Sequence, residues 1–245
     1  MRVKHYLALI IFLTSCLISY SQTDAIMGIQ LSNEEEENLT IKDLDAIKSL
    51  VLEHPEAYTD ALMKFESLDT TLTYIDAAIV YFGYAYTPEY KGGYYRDDTD
   101  AVRELLDKDD YEGAYQKVLE LRKINPASLD LLYYGIVSLE KGAEEREQMI
   151  QKFENLCDCI TRFGKGTSNN PFRVIRTDDE YRFLYSYLNV DEITAQALTI
   201  SDEDGTQCDA MSFKYCNVPF TLYFDVTEIL AFNLKQLKSR SAIID

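Results

Sequence analysis

The sequence predicts an α+β protein, in which an N-terminal stack of helical hairpins packs against a small C-terminal antiparallel sheet. Apolar residues recur at steps of three and four from residue 41 to residue 160, which is the spacing of amphipathic helices. After a glycine-containing linker at residues 164–168 the spacing changes to two, as in Met211, Phe213 and Tyr215. A period of two gives an antiparallel sheet one buried face, and we expect that face to pack on the helical region.

The first 21 residues have the layout of a secretory signal peptide. Arg2 and Lys4 precede an apolar run at residues 6–18, and small residues then lead to Gln22. A run of about 13 residues is shorter than the roughly 20 that a transmembrane helix requires. We therefore expect a mature chain that begins at Gln22 and works in the periplasm.

A lipoprotein is the alternative interpretation of the same segment. Residues 13–16 resemble a bacterial lipobox that ends in Cys16, which would anchor the mature chain to the envelope. Leu17 and Ile18 are still apolar, which favours plain secretion. A buried N-terminal helix is the third interpretation.

Residues 22–39 follow as a flexible acidic tether, because four consecutive glutamates favour solvation over packing. Residues 40–163 form the predicted helical region, and residues 164–245 form the α+β region. We expect the two regions to pack together as one unit.

The helical region is predicted from its stripes and its breaks. The first helix should end at His54 and Pro55, and residues 69–71 should cap the third. Ala114, Val118 and Pro126 resemble part of a tetratricopeptide repeat, although no regular 34-residue period returns. The longest helix should cover residues 144–162.

The C-terminal region should contain strands at residues 172–175 and 195–200, and a short helix between them. Two further strands follow from the alternation at residues 211–215 and 220–224, and a helix should close the chain at residues 226–237.

A tyrosine-rich segment is the candidate binding surface. Its helix is broken after residue 86 by proline and glycine, and tyrosine combines an apolar ring with a hydroxyl that can stay wet. The same rings could instead anchor a long loop onto the helices. The candidate residues are Tyr84, Tyr86, Tyr90, Tyr94 and Tyr95.

The composition excludes several functions. With 42 acidic and 24 basic residues, a net charge of -18 repels nucleic acid and anionic membranes. His54 is the single histidine after the signal peptide, so a site of several histidines is impossible, and we expect neither a metal nor a cofactor. The four remaining cysteines should be mostly buried free thiols, with one disulfide between the pairs as the alternative.

Several short stretches together resemble an uncharacterised bacterial family, the domain-of-unknown-function family 4919. They lie at residues 80–86, 89–90, 164–166, 172–175, 179–181, 208–209 and 222–226. The resemblance implies an exported protein of the kind found in Bacteroidetes. It implies no known activity and no catalytic residues.

Three functions remain open. The first is a non-catalytic binding or scaffold module for a peptide or protein partner, since stacked helical hairpins build concave surfaces. The second is a carboxylate-dependent hydrolase acting on glycan, with Asp179, Glu180 and Asp225 as its candidate acids. The third is a structural assembly protein. Glycan is the weaker partner prediction, because tryptophan is absent.

Overall fold

The computed structural model describes residue 39 and residues 41–92, 97–201 and 204–241. The predicted signal peptide, almost all of the acidic tether, and Tyr94 and Tyr95 lie outside these residues.

The described chain forms helices first and a sheet afterwards, which confirms the α+β class. The helices of the N-terminal region are α1 (Ile41–Glu53), α2 (Pro55–Ser67), α3 (Tyr74–Tyr84), α4 (Asp97–Leu106), α5 (Tyr111–Arg122), α6 (Leu129–Ser138) and α7 (Glu144–Phe163). The C-terminal elements are β1 (Phe172–Arg173), α8 (Thr177–Arg182), a π-helical turn (Phe183–Tyr187), β2 (Ile193–Ile200), β3 (Gln207–Tyr215), β4 (Val218–Asp225) and α9 (Thr227–Ser241).

The breaks between the first helices have local causes. His54 separates α1 from α2, as predicted, because Pro55 stands at the start of α2, where its missing N–H leaves no helical bond unmade. The prediction that residues 69–71 cap α3 is wrong. Thr73 caps this helix in a capping box with Asp76, because its hydroxyl accepts the Asp76 N–H while the Asp76 carboxylate accepts the Thr73 N–H.

The helices α4 to α7 form two successive hairpins around a shared apolar cluster. Val102, Ala114, Val118 and Leu131 are fully buried at its centre. Gly135 on α6 lies next to this cluster, and a β-carbon there would be in ordinary contact, at 3.4 Å, with atoms of both Val118 and Met149. The tetratricopeptide resemblance of this segment stays a prediction.

The sheet has the strand order β1-β4-β3-β2. β2, β3 and β4 are antiparallel neighbours, as predicted, whereas the two-residue β1 pairs with β4 in parallel and makes the sheet mixed. β3 and β4 are joined by Cys216 and Asn217, whose φ angles of 49° and 64° fit the two-residue turn that matches strand twist.

One face of the sheet is buried against the helices. Met211, Phe213, Leu222 and Phe224 are almost fully buried on that face. Phe224 packs against Phe172 and Phe183, whose ring centroids lie 5.7 and 6.1 Å away. β1 contacts α7, and α8 contacts α6, so the helical layer continues across this end of the sheet.

The four described cysteines are free thiols, as predicted. Cys157, Cys159 and Cys208 are buried and Cys216 is exposed. Burial raises the pKa of the Cys157 and Cys159 thiols well above the ordinary value, so these side chains stay uncharged.

In the part of the chain that the structure describes, we find no helix with both the length and the apolar character needed to span a bilayer.

Candidate functional site

The predicted tyrosine surface is largely turned inward where the structure describes it. Tyr84 and Tyr90 are buried, with their rings edge to face at a centroid distance of 5.8 Å. The Tyr84 hydroxyl donates to the Glu89 carbonyl at 3.3 Å, and the Tyr90 hydroxyl donates to the Ile175 carbonyl at 2.6 Å. Tyr84 therefore fastens the segment after α3 to that helix, and Tyr90 fastens it to the C-terminal region.

Tyr86 is half-buried and keeps part of its ring accessible. Its hydroxyl donates to the Glu228 carboxylate at 3.0 Å, and the Lys48 ammonium lies 5.5 Å from its ring centroid. Of the three described candidates it has the largest share of surface for a partner. A binding role for the five tyrosines stays a prediction.

Asp225, one of the three candidate acids, has contacts typical of a structural residue. Its carboxylate accepts the Thr227 N–H at 2.9 Å, at the beginning of α9. Its other oxygen lies 3.4 Å from the guanidinium of Arg173. The aspartate thus holds the start of α9 against β1.

Asp179 on α8 is a buried acid with one strong partner. The Tyr81 hydroxyl donates to its carboxylate at 2.9 Å, which ties α8 to α3. Burial raises the pKa of Asp179 to about 7, although the charge of Arg176 and the Tyr81 hydrogen bond act to lower it. The group is therefore partly protonated near neutral pH.

Glu180, the next residue, is fully buried and lacks such support. Neither of its carboxyl oxygens accepts a hydrogen bond from any group that the structure describes. Burial, followed by the adjacent Asp209 carboxylate, raises the pKa of Glu180 to about 10. Glu180 is therefore protonated at neutral pH, beside the Asp209 carboxylate.

Asp209 on β3 connects this buried acid to a cavity of about 330 Å³. The Tyr181 hydroxyl donates to the amide oxygen of Gln196, and the amide nitrogen of Gln196 donates to Asp209 at 2.9 Å. These bonds hold the Asp209 carboxylate in place at the cavity wall. The cavity is lined by Thr177, Gln196, Leu198, Asp209, Val226 and Leu230.

β2 forms the outer rim of this cavity and the edge of the sheet. Among the described strands it pairs with β3 alone. Leu198 lies opposite Asp209 and Ile200 lies opposite Gln207, so their side chains point to the inner face of the sheet. They are nevertheless 55% and 64% exposed, so this part of the inner face is open.

An apolar stripe on α9 continues the same surface. Leu230 lines the cavity, and Leu234 and Leu237 follow it at spacings of four and three residues along the helix. They are 57% and 60% exposed. We call the free edge of β2, the cavity and the adjoining leucines of α9 the β2 surface.

The sequence predicts the strand at residues 195–200 but not its role. Asp209 is not among the predicted acids either. The available signal is the eight-residue run Ile193–Ile200, which contains no charge and no proline and is bounded by acidic residues on both sides. Such a run is unusual for a strand that ends a sheet, since natural edge strands carry charges or prolines that block further pairing.

The described residues contain no group of side chains arranged to bind a metal ion. No group of three or more histidine, cysteine, aspartate or glutamate side chains converges there in a way that could hold an ion.

Comparison with known proteins gives a family but no activity. The family model described as "Domain of unknown function (DUF4919)" matches residues 45–235, which confirms the resemblance of the short stretches described above. No curated protein and no solved structure matches the chain.

Proposed function

Because the chain belongs to the DUF4919 family, whose description assigns no activity, we propose a function from its geometry: a non-catalytic binding module for an extended polypeptide segment. The segment adds a strand to the free edge of β2 and places alternate side chains in the cavity and against the leucines of α9. We further propose that the module works in the periplasm, on the basis of the N-terminal signal sequence.

The exposed edge of β2 is the observation that carries this proposal. An eight-residue strand offers a row of backbone N–H and C=O groups on the side away from β3. Strand addition at such an edge takes its affinity from main-chain hydrogen bonds and its specificity from pockets that receive alternate side chains. The cavity beside Leu198 is a pocket of this kind.

The charges around β2 select the partner. Asp191 and Glu192 precede the strand, and Asp202, Glu203 and Asp204 follow it in the sequence. Pairing with β2 of a second copy would bring acidic residues together at both ends, whether the strands ran parallel or antiparallel. Like charges oppose association, so we infer a partner with an apolar, alternating centre and lysine or arginine at its ends.

Peptide binding to paired variants tests the proposal. The probe is a capped nine-residue peptide with valine at alternate positions and lysine at both ends. Leu198→Lys places a positive charge on the β2 surface, and Leu52→Lys places the same charge on α1 at a similarly exposed leucine. We expect the dissociation constant, measured by calorimetry, to rise at least tenfold in the first variant and to stay unchanged in the second.

Two results would contradict the proposal. One is equal affinity of both variants for the peptide, which would place binding elsewhere. The other is a concentration-dependent dimer in sedimentation that Leu198→Lys dissociates, because a second copy would then occupy β2. That second result would support the structural assembly function instead.

A hydrolase is the second candidate, and one observation favours it. Glu180 holds a proton beside Asp209 at the wall of a cavity, and two carboxyl groups with such different environments can act as acid and base. Full burial of Glu180 weighs against direct contact with a substrate. Turnover of a glycan panel that is abolished by Asp209→Asn would support hydrolysis over binding.

A further inference from the structure

We propose that the cavity of the β2 surface receives one cationic side chain, lysine or arginine, from the bound segment, and that this cation pairs with Asp209 directly in front of Glu180. The inference rests on the proposed function, and it names the residue type that the segment must place in the pocket.

The walls of the cavity match the two parts of such a side chain. Leu198, Val226 and Leu230 are apolar and can cover a methylene stem, while Asp209 supplies a carboxylate for the charged end. A volume of about 330 Å³ is large enough to hold a lysine or arginine side chain.

The position of Asp209 suits a ligand that arrives along β2. Asp209 pairs across the sheet with Leu198, so its carboxylate lies on the inner face, beside the strand to which the segment would bind. Its hydrogen bond from Gln196, which is in turn held by Tyr181, fixes the carboxylate before any ligand enters. Such preorganisation strengthens the binding of a charged group.

The environment of Glu180 is a second observation that supports a cation in the cavity. Its carboxyl group is fully buried and has no hydrogen-bond donor among the described residues. The carboxylates with the largest effect on it are Asp209 from β3 and Asp179 and Asp178 from α8. The largest charge effects on Glu180 thus come from carboxylates, while the cationic Arg176 acts on the adjacent Asp179, and a cation beside Asp209 would reduce the repulsion among the acids.

The entry of a cation changes the protonation of this pair. In the free protein Glu180 keeps its proton, because burial and the adjacent Asp209 carboxylate raise its pKa to about 10. When an ammonium or guanidinium group binds, the O–H bond of Glu180 breaks, its proton passes to solvent, and the two carboxylates share the positive charge. Binding is then coupled to the release of up to one proton.

Calorimetry with a matched set of peptides tests this coupling. The probes are the nine-residue peptide described above with its central valine replaced by lysine, and the same peptide with glutamine at that position. We expect the lysine peptide to bind at least tenfold more tightly at pH 7. Its binding should release a proton, seen as different heats in phosphate and Tris buffers, and its affinity should increase with pH by up to about tenfold per unit.

Variants of Asp209 and Glu180 test whether these two acids cause the preference for lysine and the proton release. Asp209→Asn and Glu180→Gln should each remove the preference for lysine over glutamine, and Glu180→Gln should also abolish proton release. The exposed Glu104→Gln on α4 is the control and should change neither. Asp209 is half-exposed, so its variant keeps the test valid if Glu180→Gln fails to fold.

The possible failures can be told apart. Equal binding of the lysine and glutamine peptides without proton release would overturn this inference and leave strand addition intact. If neither peptide nor the original valine peptide binds, the proposed function fails and this inference fails with it.

Discussion

Buried charge is treated in opposite ways by the helical region and the C-terminal region. In the helical region the guanidinium of Arg122 and the ammonium of Lys152 are both buried, and they contact the two carboxylate oxygens of one residue, Glu66. This cluster, the Glu66 cluster, joins α2, α5 and α7 through charges of opposite sign. Because its charges balance one another and hold three helices together, we interpret the Glu66 cluster as contributing to stability.

The C-terminal region buries acids beside acids. Burial and the carboxylates of Asp209, Asp179 and Asp178 raise the pKa of Glu180. Burying carboxyl groups together lowers the stability of a fold when they ionise, since each negative charge opposes the next. A positive charge supplied by a ligand would reduce this repulsion, whereas the Glu66 cluster already contains charges of both signs. This difference separates a site of function from a site of stability.

The largest effect should come from breaking the Glu66 cluster. Glu66→Gln removes the negative charge between two buried cations, and Arg122 then stays buried without a counter-ion. Loss of one partner of a buried ion pair lowers the free energy of unfolding by about 3 kcal/mol or more, and the partial exposure of Glu66 points to the lower end of that range. Urea unfolding at pH 7 measures the loss.

The exposed Glu104→Gln is the control for this change and should alter the free energy of unfolding by less than about 0.5 kcal/mol. If the two variants proved equally stable, the Glu66 cluster would not be a structural element, and the contrast between the regions would disappear.

The next effect concerns the C-terminal region, where a substitution should raise the free energy of unfolding rather than lower it. The pKa of Glu180 is raised from an ordinary value of 4.5 to about 10. Above pH 4.5 the unfolded chain releases this proton while the folded chain keeps it, so the stability contributed by Glu180 declines as pH rises towards 10. Glu180→Gln carries no such proton. Its stability relative to the wild type should therefore increase from about pH 5 to pH 9, by at most about 1.4 kcal/mol for each pH unit.

Urea unfolding across this pH range checks the prediction, with Glu104→Gln measured in parallel. A constant difference between Glu180→Gln and the wild type at every pH would show that Glu180 is ionised in the folded protein. The acid pair would then lack the proton that the coupled binding requires.

A smaller change should follow from removing the hydroxyl that supports Asp179. Tyr81→Phe deletes the donor of the 2.9 Å hydrogen bond and leaves the buried carboxylate without it. Because the pKa of Asp179 is raised only to about 7, the carboxylate is charged above that pH and largely neutral below it. A hydrogen bond to a charged group contributes about 1.5–3 kcal/mol, so we expect a loss of roughly 1.5 kcal/mol at pH 8.5 and less at pH 5.5.

Thermal unfolding at the two pH values measures this difference. Tyr111→Phe, which removes a hydroxyl from an exposed tyrosine, should have no pH-dependent effect. An equal loss at both pH values for Tyr81→Phe would mean that Asp179 does not titrate between them.

The sequence predicts the parts of this molecule whose signals are local. The helical stripes and the Pro55 break lie within a few residues of each other, and so do the alternating residues of β3 and β4. β1 has only two residues and joins β4 in parallel, so no periodic pattern reveals its pairing. The sequence pattern places the cap of α3 too early, because residues 69–71 and Thr73 can all cap a helix and only the reciprocal bond with Asp76 decides between them.

The candidate site depends on contacts that no local pattern contains. Asp179 and Glu180 are among the predicted acids, but the partner that matters, Asp209, comes from a different strand of the sheet. The tyrosine cluster gives a strong composition signal. Tyr84 and Tyr90 nevertheless use their hydroxyls inside the protein, because carbonyl groups of the chain lie within reach of both. Composition indicates which side chains can bind, whereas packing decides which of them remain available.

The smallest effect on stability should occur on the β2 surface, where the leucines have few packing partners to lose. Leu198→Thr keeps a residue suited to a strand and removes an apolar side chain that is 55% exposed. We expect a change in the free energy of unfolding within about 0.5 kcal/mol, measured in urea. Leu222→Thr, on the buried face of the same sheet, should lose about 2 kcal/mol or more, because its side chain is 2% exposed. Equal losses at both positions would mean that Leu198 belongs to the core, and β2 would then offer no free surface to a partner.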